Sequence, residues 1–305
     1  MALLLLDRIS AHGQFEAQSQ VKHYNIQEGL SQGVVNSIAE DDQSLLWFAT
    51  EDGLNRFDGY DFKVFKYNKN NNNGFTDNFI QSLYKDYQGT LWISSRGGLL
   101  KFNPDVETFT LYKHEFKNPK ISTPNDVSSI TGGAANNLWI AWYGNGFGSF
   151  NKTTNKFTVY NKTTLPGLSS DQTVSLLEDD YGILWVGTQN GGLNVFNVGN
   201  GVIIDKIDAL TNPPELPSQN IRCIVQDSRK NIWIGTSHGL IVYLRERNQF
   251  FKFSKVHNNV GNKSIFSLMC DSNENLWIGT RGNGLLRLAL RQFNTQEVER
   301  FVFTK

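Results

Sequence analysis

The chain has only two cysteines, two methionines and five histidines in 305 residues. That leaves neither the Cys/His spacing of a metal site nor the disulfide lattice of a small secreted domain, and no cofactor is expected. Lysine plus arginine and aspartate plus glutamate number 29 each. With formal charge at zero, no field of one sign draws nucleic acid or an acidic membrane surface. No run reaches the roughly 20 apolar residues that span a bilayer as a helix. Almost no segment repeats its apolar residues at the helical period, so the elements are expected to be strands. A phosphate-cradling glycine loop and a nucleophile elbow are missing as well, and catalysis is not expected.

What is abundant is glycine, with 27 residues, and aromatics, with 21 Phe, 10 Tyr and 7 Trp. Six of the tryptophans follow Leu or Ile at nearly constant spacing: Trp47, Trp92, Trp139, Trp185, Trp233 and Trp277. The interval, close to 46 residues, is too long for a leucine-rich repeat and matches one four-stranded propeller blade. Other columns keep phase with the indoles. Nine residues before each stand the aliphatics Ile38, Leu83, Ile130, Leu176, Ile224 and Leu268. Ten before stand small residues: Ser37, Ser82, Ser129, Ser175, Cys223 and Ser267. Six before stand Asp41, Asp86, Asp179, Asp227 and Asp271, with Gly133 in the third repeat. An Asp ahead of short polar or Gly residues can bond its own backbone two residues on and close a turn, so this column is expected to be structural.

The fold expected is an all-β propeller of four-stranded blades, six visible, over residues 21–305, with blades at about 30–75, 76–121, 122–165, 166–212, 213–258 and 259–305. Radial packing would bury each sheet between its neighbours, with the indoles in the wedge. Residues 1–20 open with Met1 to Leu6 and then Asp7 and Arg8; they read as a clipped export signal or a disordered leader. Val21 to Ile26 reads as a leading strand, and Val298 to Thr304 as the fourth strand of the last blade. Together they suggest a truncated seven-bladed ring, with a closed six-bladed ring as the alternative. Cys223 and Cys270 are staggered by three positions relative to their tryptophans, roughly 10 Å along a strand. A disulfide needs Cα atoms within about 7 Å, so buried free thiols are expected. Asn68 to Asn73 and Asn212 to Pro217 read as loops between blades.

The text Asp-x-x-Gly-x-Leu-Trp-Val/Ile-Gly-Thr-x-x-Gly-Leu, nearly whole at Asp179 to Leu193 and again at Asp86 to Leu99, resembles the two-component regulator propeller repeat. So does the opening Gly29-Leu30-Ser31 with Gly53 to Phe62. In that family the propeller is the extracytoplasmic sensor of histidine kinases, often hybrid ones, tied to polysaccharide use in Bacteroidetes-type bacteria. The resemblance implies a periplasmic or extracytoplasmic location within a receptor anchored in the inner membrane. It also implies an oligosaccharide ligand, kinase domains in cis and signal transduction by phosphorelay; a homodimer is a separate expectation that the resemblance does not supply.

Propeller ligands commonly sit where second strands turn into third strands. That column reads Glu51, Arg96, Tyr143, Gln189, Ser237 and Arg281, unlike the uniform columns around it. With its neighbours it gives the candidate binding residues Arg96, Trp142, Tyr143, Gln189, Asn190, His238, Arg281 and Asn283. Aromatic faces stack on sugar rings, Arg binds carboxylate or sulfate, and Asn or Gln serves hydroxyls. Trp142 stands where the other repeats have Thr or Ser. Taken singly, each reads as a solvated turn residue. A protein-interaction or dimerisation module is the alternative function, and a propeller lyase or hydrolase a weaker one.

Overall fold

The computed structural model describes residues 2–4, 22–69, 74–116, 122–134, 136–207, 216–253, 263–292 and 302–303. Most of the first 20 residues, Asn70 to Asn73 and Asn212 to Glu215 lie outside them. The architecture is the expected one: all-β, with six four-stranded antiparallel sheets whose strands pair in chain order, the blades of a β-propeller. The chain divides into two compact units, Met1–Ile130 and Thr131–Lys305.

In the first unit the leading strand, Lys22–Tyr24, pairs with Ala2–Leu4. Tyr24 is buried edge-on against Phe57. Blade 1 is Val35–Glu40, Leu46–Thr50, Gly53–Phe57 and Phe62–Phe65; blade 2 is Ile80–Lys85, Leu91–Ser95, Gly98–Asn103 and Thr108–Tyr112. Trp47 is fully buried and meets Phe102 of blade 2 edge-on, with Leu83 in the same cluster. Val127–Gly132 opens blade 3.

In the second unit blade 3 continues through Asn137–Trp142, Gly146–Asn151 and Lys156–Tyr160. Blade 4 is Thr173–Glu178, Ile183–Thr188, Leu193–Asn197 and Val202–Ile207, and blade 5 is Ile221–Gln226, Ile232–Thr236, Gly239–Leu244 and Gln249–Lys252. Blade 6 is Ile265–Cys270, Asn275–Thr280, Gly284–Ala289 and Val302–Phe303. Three indoles pack on the following blade: Trp139 on Leu176, Trp185 on Ile224, and Trp233 beside Ile265 and Leu268. At Leu83, Leu176, Ile224 and Leu268 the column nine residues before the tryptophan is therefore aliphatic because it receives the preceding indole. Among the described residues this cover is incomplete in the first and last blades: Ile38 in blade 1 is 47% exposed, and Trp277 in blade 6 is only half-buried. A buried indole withdraws roughly 150–250 Å² from water, worth at most about 4–6 kcal/mol.

The aspartate column does more than close a turn. In Asp41, Asp86, Asp179, Asp227 and Asp271, Oδ1 accepts the backbone N–H groups two and four residues on. Oδ2 accepts the indole N–H of that blade's own tryptophan at 2.7–3.0 Å. One carboxylate thus fixes both turn and indole, which explains the fixed six-residue offset. Gly133 cannot do this, and Trp139 donates to Glu178 of blade 4 instead.

A second column is repaired the same way. Thr50, Ser95, Thr188, Thr236 and Thr280 each donate their hydroxyl to a glycine carbonyl across the turn. In blade 3 that position is Trp142. Thr173 of blade 4 supplies the missing hydroxyl to the Gly146 carbonyl, and reaches the Trp142 carbonyl at 3.2 Å. Thr173 interrupts a column that is otherwise aliphatic: Val35, Ile80, Val127, Ile221 and Ile265. Cys223 and Cys270 are free, as expected from their stagger, and half-buried. Burial pushes both thiols up to about 12.

Candidate functional site

The turns from second to third strands, and the starts of the first strands, lie at one end of each blade. The first strands carry a β-bulge there: register shifts between Val35 and Ser37, Ile80 and Ser82, Thr173 and Ser175, Ile221 and Cys223, and Ile265 and Ser267. A bulge leaves one residue unpaired and turns it out of the ladder. The bulge positions are Asn36, Gln81, Val174, Arg222 and Phe266, as varied as the turn column. That variation is the signal by which Arg222 and Phe266, absent from the sequence-derived candidates, could have been found.

In the first unit Arg96 is exposed, and its guanidinium lies 3.9 Å from the centre of the Phe79 ring. Asp126 stands near it, with Asp77 near Asp126. Burial raises the Asp126 carboxyl above the usual carboxylate value, against the opposing pull of Arg96 and of the hydrogen bond from Gln81. Here the positive charge is balanced by acids.

In the second unit three of the expected residues come together. Tyr143, 38% exposed, donates its hydroxyl to Gln189 Oε1, and Asn190 Nδ2 donates to Gln172 Oε1 at 3.2 Å. Tyr143 and Gln172 also form an isolated backbone bridge. These groups are held by neighbours yet remain partly open to solvent, as hydroxyl-binding side chains must be.

On blades 5 and 6, His238 is exposed, with Nδ1 2.9 Å from Ser237 Oγ. Asn283 accepts from Lys263 Nζ at 2.5 Å and donates to the Arg281 carbonyl at 3.1 Å. Arg281 is exposed, and its guanidinium sits 6.0 Å from the centre of the Phe266 ring. Arg222, also exposed, approaches the same ring at 5.1 Å.

Trp142 is the correction. It is 1% exposed and lies edge-on to Phe157, its ring in the space left by Gly148, where an added Cβ would come within 2.9 Å of it. An indole enclosed on both faces offers no surface to a sugar ring. Its break in the repeat is a matter of packing, repaired by Thr173.

The two-component regulator propeller family model matches five segments, residues 29–52, 74–97, 167–190, 215–238 and 259–282. The segment of blade 3, lacking the Asp and the Thr, is not among them. In structure the chain is similar to the extracellular domain of BT3049 of B. thetaiotaomicron, described as a hybrid two-component system. The two are 33% identical with a TM-score of 0.76, over 89% of this chain and 36% of that one. The chain thus spans about a third of that domain's length. Histidine kinase P4 of Formosa agariphila is 49% identical over 41 residues, 13% of this chain and 3% of the kinase. Virginiamycin B lyase of Staphylococcus aureus shares the fold alone, at 15% identity and a TM-score of 0.69, over 90% of this chain and 86% of the lyase.

Proposed function

We propose that this chain, built of two-component regulator propeller repeats, is the ligand-sensing extracytoplasmic part of a hybrid two-component receptor and recognises an oligosaccharide. The observation that carries the reading is the similarity to the BT3049 extracellular domain across 89% of the chain. Within that frame, the polar residues that vary from blade to blade are the ones available for recognition. On the second unit these are Tyr143, Gln189, Asn190, His238, Arg281 and Asn283. On the first unit the residue is Arg96.

The role is binding and not catalysis. The Asp column, which could have supplied acids for a hydrolase, is committed to turns and indoles. Binding alone does not signal: the oligosaccharide must favour one of two receptor states, and its differential affinity sets how far the kinase domains in cis respond. Periplasmic location, anchoring through a following membrane segment and pairing with a second receptor copy belong to the same reading.

The test is calorimetric titration of the purified chain with a panel of oligosaccharides from plant and algal glycans. One member is expected to bind in the micromolar range. Tyr143→Ala should weaken it about tenfold, as loss of one stacking or hydrogen-bonding group predicts, with the unfolding midpoint nearly unchanged. A panel without binders counts against the reading. A partner protein captured on the same residues would favour the interaction-module alternative.

A further inference from the structure

The charges on blades 5 and 6 are unevenly placed. At the end where first strands begin stand Arg222, Lys263 and Arg281. The described carboxylates of these blades, Asp227, Glu246, Asp271 and Glu274, follow the first or third strands and so lie at the other end. Asp227 is five residues along the strand from Arg222, roughly 16 Å away. That exceeds the screening length of about 8–10 Å at physiological salt. Neither Arg222 nor Arg281 has an ion pair among the described residues.

Two unpaired guanidiniums are nevertheless held close. Both lie against Phe266, at 5.1 and 6.0 Å from its centre, and so within about 11 Å of each other. The bulge of blade 5 turns out Arg222, and the bulge of blade 6 turns out Phe266. Arg281 is fixed by its backbone N–H, which donates to the Ser264 carbonyl at 2.9 Å. Phe266 is 49% exposed, far more than a core ring would be. Cation–π attraction accounts for the ring's role: it orients two like charges that would otherwise separate. The cost of keeping them together is recovered when an anion enters between them, because each fork donates two parallel hydrogen bonds to a carboxylate or sulfate.

We infer that Arg222 and Arg281, clamped by Phe266, form an anion subsite that takes an acidic group on a sugar, a carboxylate or a sulfate ester. The inference deepens the sensory reading and rests on it. Lys263 adds positive potential at the rim, and Asn283, tied to Lys263, faces hydroxyls beside the acidic group. The acid-balanced surroundings of Arg96 on the first unit make no such site.

The experiment is titration of the full chain with tetragalacturonate, a heparin-derived tetrasaccharide and neutral cellotetraose, each at 50 and 300 mM NaCl. One acidic tetrasaccharide should bind about tenfold or more tighter than the neutral one, with affinity falling as salt rises. The acidic probe that binds identifies the substituent. The double variant R222Q/R281Q should lose about 30-fold in that affinity and little for cellotetraose, since charge-assisted bonds alone are removed. F266L, which keeps both charges but frees them, should lose about three- to tenfold. If R222Q/R281Q fails to fold, R222K/R281K serves, with a smaller loss expected because lysine keeps the charge without the fork. Equal affinity for acidic and neutral probes overturns the inference, as does acidic binding that a folded R222Q/R281Q leaves intact. Binding of cellotetraose alone overturns it while the sensory reading stands. Binding of none of the three overturns it too, and the broader panel then decides the sensory reading.

Discussion

Thr173→Val isolates the repair of the irregular third blade. Valine fits the column, since Val35 and Val127 occupy it in blades 1 and 3, so the change removes the hydroxyl without disturbing shape. The Gly146 carbonyl then loses a donor in a buried site, and the Trp142 carbonyl keeps the 3.4 Å contact from the Asn145 N–H. Losing one hydrogen bond at a buried carbonyl costs about 1 kcal/mol. Equilibrium urea unfolding followed by circular dichroism should show that loss as a lower midpoint at unchanged slope. Trp142→Thr restores the hydroxyl the other blades carry but empties the indole's space, for about 3–5 kcal/mol by itself. In the double variant the hydroxyl introduced by Trp142→Thr can serve the Gly146 carbonyl, so the two changes should cost less than their sum by about 1 kcal/mol. A Thr173→Val protein within about 0.5 kcal/mol of wild type, or strict additivity in the cycle, would refute the reasoning.

Trp142→Ala should destabilise by about 3–5 kcal/mol, the usual cost of emptying a fully buried aromatic site; an unfolding midpoint near wild type would return Trp142 to the surface. With thiols pushed up to about 12, Cys223 and Cys270 should resist iodoacetamide at pH 8 in the native protein and react after unfolding, because only the thiolate attacks. Rapid native labelling would contradict their burial. Burial raises the Asp271 carboxyl, but hydrogen bonds from Asn275, the Trp277 indole and the Asn273 N–H outweigh it and hold it below the ordinary aspartate value of 3.8. Its contribution to stability is therefore complete above pH 3.8 and lost as pH falls through the lower folded value. The Trp277 indole resonance should titrate only below pH 3.8, and a midpoint above about 4 would exclude the carboxylate as its partner.

The architecture was legible because it is written six times. Strand positions, the tryptophan core and the aspartate turns each recur at one offset, and a column of six instances separates packing from accident. The fourth strands of blades 2 and 3, Thr108–Tyr112 and Lys156–Tyr160, carry a Phe as their second residue and a Tyr as their last in the same way. The indole bond of each aspartate was not legible, since a hydrogen bond across six residues leaves no trace beyond the constant spacing it enforces. Nor was the pairing of Arg222 and Arg281 on Phe266, which joins two bulges and a turn from neighbouring blades. Spacing along one repeat says nothing about contacts between repeats.

A departure from the repeat therefore has two physical meanings, and Trp142 shows how to tell them apart. Where a structural hydrogen bond is lost, the orphaned group must find a donor nearby, so a second departure appears in the adjoining blade. Trp142 is answered in this way by Thr173; Gly133 is answered by Glu178, which reaches Trp139 from a column that already varies. Where a departure is met by no second one, no structural bond was at stake, and the residue is free to serve a ligand. Arg281 is of this kind, since the turn column carries no repeated hydrogen bond through the side chain; in the bulge column Asn36 and Gln81 donate to the Ile80 and Val127 carbonyls of the next blade, whereas Arg222 lies against Phe266. The charges of Arg222 and Arg281 have no counter-ion among the described residues. Unanswered variation at the bulges and turns, more than variation alone, is what marks the recognition surface of these blades.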